Sequence, residues 1–190
     1  MCIRDSHGFC ARLLRLHSLA AGLDPEFVIL DEGLAARLRG RAFASALGGF
    51  LEGERSEAVD LVAAYGADRV RAMVGATYAE LRSRGMHLPT FPVPVRMGEL
   101  DEVDAEGVRT AELLRELLER FGREYEVRKR ERSAVDFDDL ELRARALLDE
   151  HESVRVAWAE RFELLMVEMC IRDRHRAARR VSAARSTRRS

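Results

Sequence analysis

Apolar residues recur at helical spacing along most of this chain. Phe9, Leu13, Leu16 and Ala20 share one face of a helix spanning residues 9–21, and Gly22 offers its stop. Asp24-Pro25 opens a turn, and the short run Phe27-Val28-Ile29-Leu30 reads as a brief extended segment. Asp31 is placed to cap a second helix, in which Leu34, Leu38, Ala42, Ala46 and Phe50 repeat every four residues. Ser56 caps a third, short helix ending at Gly66, and residues 68–84 form a fourth ending at Gly85.

Residues 86–98 hold three of the four prolines and predict a loop between helical parts. A long helix over residues 101–132 follows, with Leu114, Leu117, Leu118, Phe121 and Tyr125 on one side. Its outer face sets Glu116 before Arg120, Glu119 before Arg123, Glu124 before Arg128 and Glu126 before Arg130, the favourable order for i,i+4 pairs on a solvated face. In Val135-Asp136-Phe137-Asp138-Asp139-Leu140, Asp136 can cap a helix and Asp138 and Asp139 meet the positive end of its dipole. Val135 and Leu140 occupy the positions of a hydrophobic staple. That helix runs on through Ala144, Leu147 and Leu148, and a shorter one over residues 154–161 leads into Phe162-Glu163-Leu164-Leu165-Met166-Val167. The last run is short enough to be a buried strand.

Composition narrows the chemistry. With 47% hydrophobic and 34% charged residues, the chain can bury a core and is not wholly disordered. No apolar run approaches the ~18 residues of a membrane span, and Arg12, Arg15 and His17 interrupt the N-terminal apolar segment. A cytoplasmic protein without a membrane partner is the expectation. There is one lysine, Lys129, against 31 arginines, and no asparagine or glutamine. A complete G-x-x-x-x-G-K-[ST] phosphate loop needs a lysine after glycines, and Lys129 sits instead in Arg128-Lys129-Arg130-Glu131.

The net charge of −1 conceals a division: residues 170–190 carry eight arginines and one acid, leaving the remainder distinctly acidic. Met1-Cys2-Ile3-Arg4-Asp5 recurs as Met169-Cys170-Ile171-Arg172-Asp173. Two copies flanking a body lack the regular period of a structural repeat. Residues 1–6 therefore read as a scar-like segment outside the fold, and residues 168–190 as a second scar with an arginine-rich tail that is disordered or foreign. Setting aside Cys2 and Cys170 leaves Cys10, so no disulfide framework is expected. His7 and Cys10 have the spacing of two metal ligands, but no second pair follows, and no metal site is expected.

Two motifs carry a family resemblance. His7-Gly8-Phe9-Cys10, the following Ala11-Arg12-Leu13-Leu14-Arg15, and Gly22-Leu23-Asp24-Pro25-Glu26-Phe27-Val28-Ile29-Leu30-Asp31-Glu32 resemble the segment after the T-x-H-x-F-C type motif of UvrD-like DNA helicases. Tyr125, Asp136-Phe137-Asp138-Asp139-Leu140, Leu147-Leu148, Val154-Arg155, Trp158 and Arg161-Phe162-Glu163-Leu164-Leu165-Met166-Val167 resemble that family's approach to its Walker B strand. Between them, Ala64-Tyr65-Gly66-Ala67-Asp68-Arg69 and Glu80-Leu81-Arg82-Ser83-Arg84-Gly85 are most similar to the AddA and RecB-like branch.

The resemblance implies a mainly α chain: a helical insert plus a partial RecA-like P-loop NTPase α/β motor domain, together an internal fragment over residues 7–167. Within it, 7–30 would be a motor-domain segment, 31–132 the helical insert, and 133–167 the return to the motor, ending in the Walker B strand. The implied activity is ATP-dependent 3′ to 5′ DNA unwinding in repair and recombination, driven by ATP and Mg2+ in the intact family member. Single-stranded and duplex DNA would be its partners, together with a nuclease domain or an AddB/RecC-like subunit.

Departures from the pattern qualify the activity. The first scar stands where the family has the Thr of its T-x-H motif, and neither a P-loop nor a second motor domain with its arginine finger is present. The family's D-E pair, which holds magnesium and positions the attacking water, is replaced by Val167-Glu168-Met169. Glu168 thus occupies a degraded Walker B position, no catalytic residue is assigned, and the fragment alone is expected to bind no nucleotide and have no ATPase activity. The resemblance makes His7, Gly8, Phe9, Asp136, Phe137, Asp138 and Asp139 DNA-proximal. Arg128, Lys129 and Arg130 are candidate phosphate contacts. Tyr125 and Trp158 could stack on bases but lie on apolar faces that favour core packing. A stand-alone helical interaction protein and a basic-tailed nucleic-acid-binding module are the alternatives.

Overall fold

The computed structural model describes residues 6–52, 56–93 and 102–161. In chain order these form α1 (Ser6–Leu16), β1 (Val28–Ile29), α2 (Glu32–Leu51), α3 (Ser56–Tyr65), α4 (Ala67–Ser83), α5 (Glu102–Arg130), β2 (Ala134–Val135), α6 (Phe137–Glu150) and α7 (Glu152–Ala159). The architecture is mainly helical, as the periodicity predicts. The apolar run at 162–167, Glu168 and both copies of the Met-Cys-Ile-Arg-Asp repeat fall outside the described residues, and Ser6, the last residue of the segment expected to lie outside the fold, opens α1.

Asp31 caps α2 by accepting a hydrogen bond from the Leu34 N–H at 2.7 Å. The helix buries Ala35, Leu38, Ala42, Phe43, Ala46 and Phe50, and its alanines let α5 approach closely. From α5 come Leu113, Leu117, Leu118, Phe121 and Tyr125, and from α4 Val70, Val74, Tyr78 and Leu81. Ala58 and Leu61 of α3, Leu30 after β1 and Ala134 of β2 complete one continuous core. Four helices thus bury one apolar stripe each against the others, the usual solution for amphipathic helices.

The first helix is shorter than its apolar pattern suggests. Regular α1 ends at Leu16, and residues 17–22 form hydrogen-bonded turns in which Leu19 is 84% exposed. Gly22, at φ 62°, closes them: the Leu23 N–H donates to the Ser18 carbonyl and the Gly22 N–H to the Leu19 carbonyl, a Schellman arrangement. Gly85 (φ 97°) ends α4 identically, with Met86 donating to Leu81 and Gly85 to Arg82. Ser56 is the first helical residue of α3, and residues 86–93 have no regular structure.

The sheet goes beyond what the sequence pattern predicts. β1 lies in the expected extended segment, but its parallel partner β2 occupies Ala134–Val135, read from the sequence as the approach to a helix cap. Val28 pairs with Ala134 and Ile29 with Val135. The Val28 N–H donates to the Ser133 carbonyl and the Leu30 N–H to the Val135 carbonyl, both at 2.8 Å. Ser133, which adopts φ 44°, donates through Oγ to Asp24 Oδ2 at 2.8 Å, tying this turn to the start of β1. The crossover between the strands contains α2 to α5, so the pair returns the chain beside its own beginning. There α1 packs on α6, burying Cys10, Leu13 and Leu14 of one and Leu140, Ala144 and Leu147 of the other.

A second unit begins at Glu152. Its described part is α7 and the two residues after it; Trp158 of α7 is buried, and the guanidinium of Arg161, beyond the helix, lies 5.1 Å from the indole centroid. Among the described residues no helix is long and apolar enough to cross a membrane.

Candidate functional site

The first turn of α6 joins the two sequence motifs. Asp136 is the N-cap: its Oδ1 accepts from the Asp139 N–H at 2.8 Å, while Asp139 Oδ2 accepts from the Asp136 N–H at 3.1 Å, a reciprocal capping box. Val135 and Leu140, flanking it, are buried as a hydrophobic staple requires. Both carboxylates are buried as well, at 6% and 2% exposure. Buried charge of this kind is tolerated only when paired.

Pairing comes from α4 and α5. Arg82 Nη2 lies 2.5 Å from Asp139 Oδ1 and 3.7 Å from Asp136 Oδ1. Lys129 Nζ lies 2.5 Å from Asp139 Oδ2, 3.4 Å from Asp136 Oδ2 and 2.6 Å from Glu126 Oε1. Glu126 Oε2 faces Arg143 Nη2 of α6 at 3.9 Å. The Lys129 ammonium also sits 4.6 Å from the Tyr125 ring centroid, and Arg82 Nη1 donates to the His87 carbonyl at 2.9 Å. Three cations thereby meet three carboxylates inside the protein.

These charges set the titration of the capping acids. Burial alone would raise Asp139, but Lys129 and Arg82 outweigh it and hold the carboxyl below its ordinary value. Asp138, outside this network, is pushed upward by partial desolvation and the neighbouring Asp136.

On the outer side of the same turn, Phe137 is 43% exposed and its ring centroid stands 5.0 Å from that of His7. His7 Nε2 is 3.4 Å from Glu141 Oε1, which also accepts from Ser6 Oγ at 3.2 Å. Thus α1 and α6 bring His7 to the Asp136–Asp139 motif across the whole intervening bundle. Gly8 is exposed beside them, and Phe9 lines a shallow, mostly apolar groove with Cys10, Ala144 and Leu148. Burial and Glu141 push the Cys10 thiol up to about 11, leaving it protonated and unreactive at neutral pH.

The candidate phosphate contacts separate. Arg130 is exposed, and Arg128 is half-buried and ion-paired with Glu124. Lys129 does not fit the expected role in this conformation: it is 1% exposed, with its ammonium enclosed by carboxylates. The expected Glu126–Arg130 pairing also gives way, because Glu126 turns inward to Lys129 and Arg143. The Glu116–Arg120, Glu119–Arg123 and Glu124–Arg128 pairs do form. Tyr125 and Trp158 are buried, so neither offers a face to a base. Arg82, Glu126 and Arg143 are partners of the α6 motif that no local sequence spacing marks. Among the described residues, no group of three or more His, Cys, Asp or Glu is placed to hold a metal ion.

The family model of the UvrD/REP helicase N-terminal domain matches residues 1–168. The chain belongs to the UvrD/REP helicase family. No curated protein and no solved structure matches it. The UvrD/REP match covers every helix and both strands among the described residues, includes the first copy of the repeat, and ends beside the second. This is a family of ATP-dependent helicases acting on DNA.

Acid should probe the buried pair of this UvrD/REP domain. Because folding depresses the Asp139 pKa, its contribution is present above the ordinary carboxylate range. It is lost as pH falls through the native value, where the unfolded chain binds the proton first. Urea midpoints at pH 6 and pH 3.5 are therefore expected to differ more for the native chain than for Asp139→Asn. Equal differences would show that Asp139 is not held ionised by its partners.

Proposed function

We propose that this chain supplies part of the ATP-driven motor of a 3′ to 5′ DNA helicase of the AddA and RecB-like branch, serving repair and recombination. In this reading α2 to α5 are the insert, and β1, β2, α1 and α6 belong to a RecA-like motor domain. His7, Gly8, Phe9, Phe137 and Asp138 form its DNA-facing end. Asp136 and Asp139 build that end from within. A nuclease domain or an AddB/RecC-like subunit would be the working partner.

The observation that carries the reading's catalytic half is the fate of Lys129. A phosphate loop requires a lysine amine on the β- and γ-phosphates, and the chain's sole lysine is buried among Glu126, Asp136 and Asp139. Val167-Glu168-Met169 likewise lacks the paired carboxylates that would hold magnesium. These residues do not fit an ATP–Mg2+ site, and we infer that the chain by itself turns over no ATP. The DNA-facing assignment is supported by the His7–Phe137 ring contact, formed at an exposed end by residues from both family motifs.

The test is a coupled ATPase assay on the purified chain with Mg2+ and single-stranded DNA. Phosphate release should match buffer. Turnover that co-elutes with the chain through a second chromatographic step would sink the proposal.

A further inference from the structure

The buried charges come from both sides of the crossover. Arg82 stands in the last turn of α4, and Glu126 and Lys129 stand near the end of α5, while Asp136, Asp139 and Arg143 belong to α6 and its cap. Asp139 divides its two oxygens between two buried cations, Oδ1 to Arg82 of α4 and Oδ2 to Lys129 of α5, and Oδ2 also receives the Asp136 N–H. The Arg82 and Lys129 side chains are each 1% exposed.

Apolar contacts between helices are non-directional and tolerate small slides. Directed, buried ion pairs do not, because a slide of one helical step would separate both cations from Asp139 and leave charges unpaired away from water. Because α6 packs chiefly on α1, these ion pairs are the directed link between its first turn and the ends of α4 and α5. Phe137 follows Asp136 immediately and carries the contact to His7 on α1.

We propose that Arg82 and Lys129 are positioning residues: acting through Asp139 and Asp136, they transmit the location of the α4–α5 bundle to the exposed Phe137–His7 pair. Bundle and exposed end then move as one body. Describing that end as DNA-facing rests on the function proposed above, whereas the coupling does not. Its test uses neither DNA nor ATP, so either reading can fail alone.

The experiment is NMR of the full chain with labelled histidine, following the His7 ring protons, which sense the ring current of Phe137. Phe137→Leu defines the His7 shift without that ring. Lys129→Met is expected to move the His7 signal by at least roughly half of that displacement, and Lys129→Arg to move it back toward the native position. A Lys129→Met chain that melts earlier yet keeps the native His7 shift would overturn the proposal, since a purely stabilising role predicts that result. Should Lys129→Met give no dispersed spectrum, Arg82→Lys, which keeps the charge but loses the planar fork, is read in the same way. A displaced His7 signal supports the coupling, and an unmoved one overturns it.

Discussion

Lys129→Ala is expected to destabilise the fold by about 3–5 kcal/mol, the range for removing one partner of a buried ion pair. Lys129 is 1% exposed and its ammonium contacts three carboxylates, so its loss leaves Glu126 facing Arg143 at the longer distance of 3.9 Å, and strips Asp136 of one of its cationic partners. It also removes the cation above the Tyr125 ring. Against total stabilities of roughly 5–15 kcal/mol for domains of ordinary size, this is a large fraction. At about 2–4 °C per kcal/mol for chains of this length, the melting temperature should fall by roughly 6–20 °C. The natural control is Arg128→Ala one residue earlier. Its pair with Glu124 is a partly exposed i,i+4 contact within one helix, of a kind that contributes about 0.5 kcal/mol. Urea denaturation of the two variants side by side reads the difference. Equal, small losses would mean that the Lys129 ammonium is solvated and the network does not exist in solution.

The contrast between Arg128 and Lys129 also shows what a sequence can and cannot disclose. Acid-before-base spacing correctly places Glu124 against Arg128, because both partners lie on one helix and the geometry is local. Its basic neighbours suggest a phosphate contact for Lys129, although it continues the stripe of Leu118, Phe121 and Tyr125 at the next helical step. That position implies burial, and the sole lysine of an arginine-rich chain on a core face was the available signal. The sequence marks Asp136 and Asp139 as a helix cap, but a capping box explains only their backbone bonds. The remaining oxygens of Asp136 and Asp139 needed cations from other helices, and the pairing of Arg82 with Asp139 spans 57 positions.

Local chemistry likewise disclosed the caps at Asp31 and Asp136 and the stop at Gly85, since each depends on a few adjacent residues, whereas Gly22 closes turns that follow the end of α1 at Leu16. It missed β2 because two residues have no period, and because a parallel partner lies across an entire crossover. The meeting of His7 with Phe137 depends on that same long return. Nothing in either motif's own spacing requires the other, and only the family resemblance placed them at one end.

Phe121→Ala is the second large effect expected, at about 3–5 kcal/mol for a buried phenylalanine truncated to alanine. Phe121 is 2% exposed and lies where three helices meet. Its ring stands edge-on to Tyr78 of α4 at 5.0 Å and 75°, edge-on to Phe43 of α2 at 6.3 Å and 63°, and parallel to Tyr125 at 6.2 Å and 4°. Removing it opens a cavity lined by rings whose rotamers are fixed by one another, so collapse to fill the space is hindered and the cost should lie toward the upper end. Phe121→Leu, which retains most of the volume, should recover much of the loss. Tyr125 is also the platform beneath Lys129, so the cavity should loosen the ion network. The double variant Phe121→Ala/Lys129→Ala is therefore expected to be non-additive, with a coupling of roughly 0.5–3 kcal/mol, the range for residues that share a partner. Urea midpoints for the two single variants and the double variant measure it. Strict additivity would mean that the aromatic core and the buried charges are independent, and that the bundle holds α6 through its acids alone.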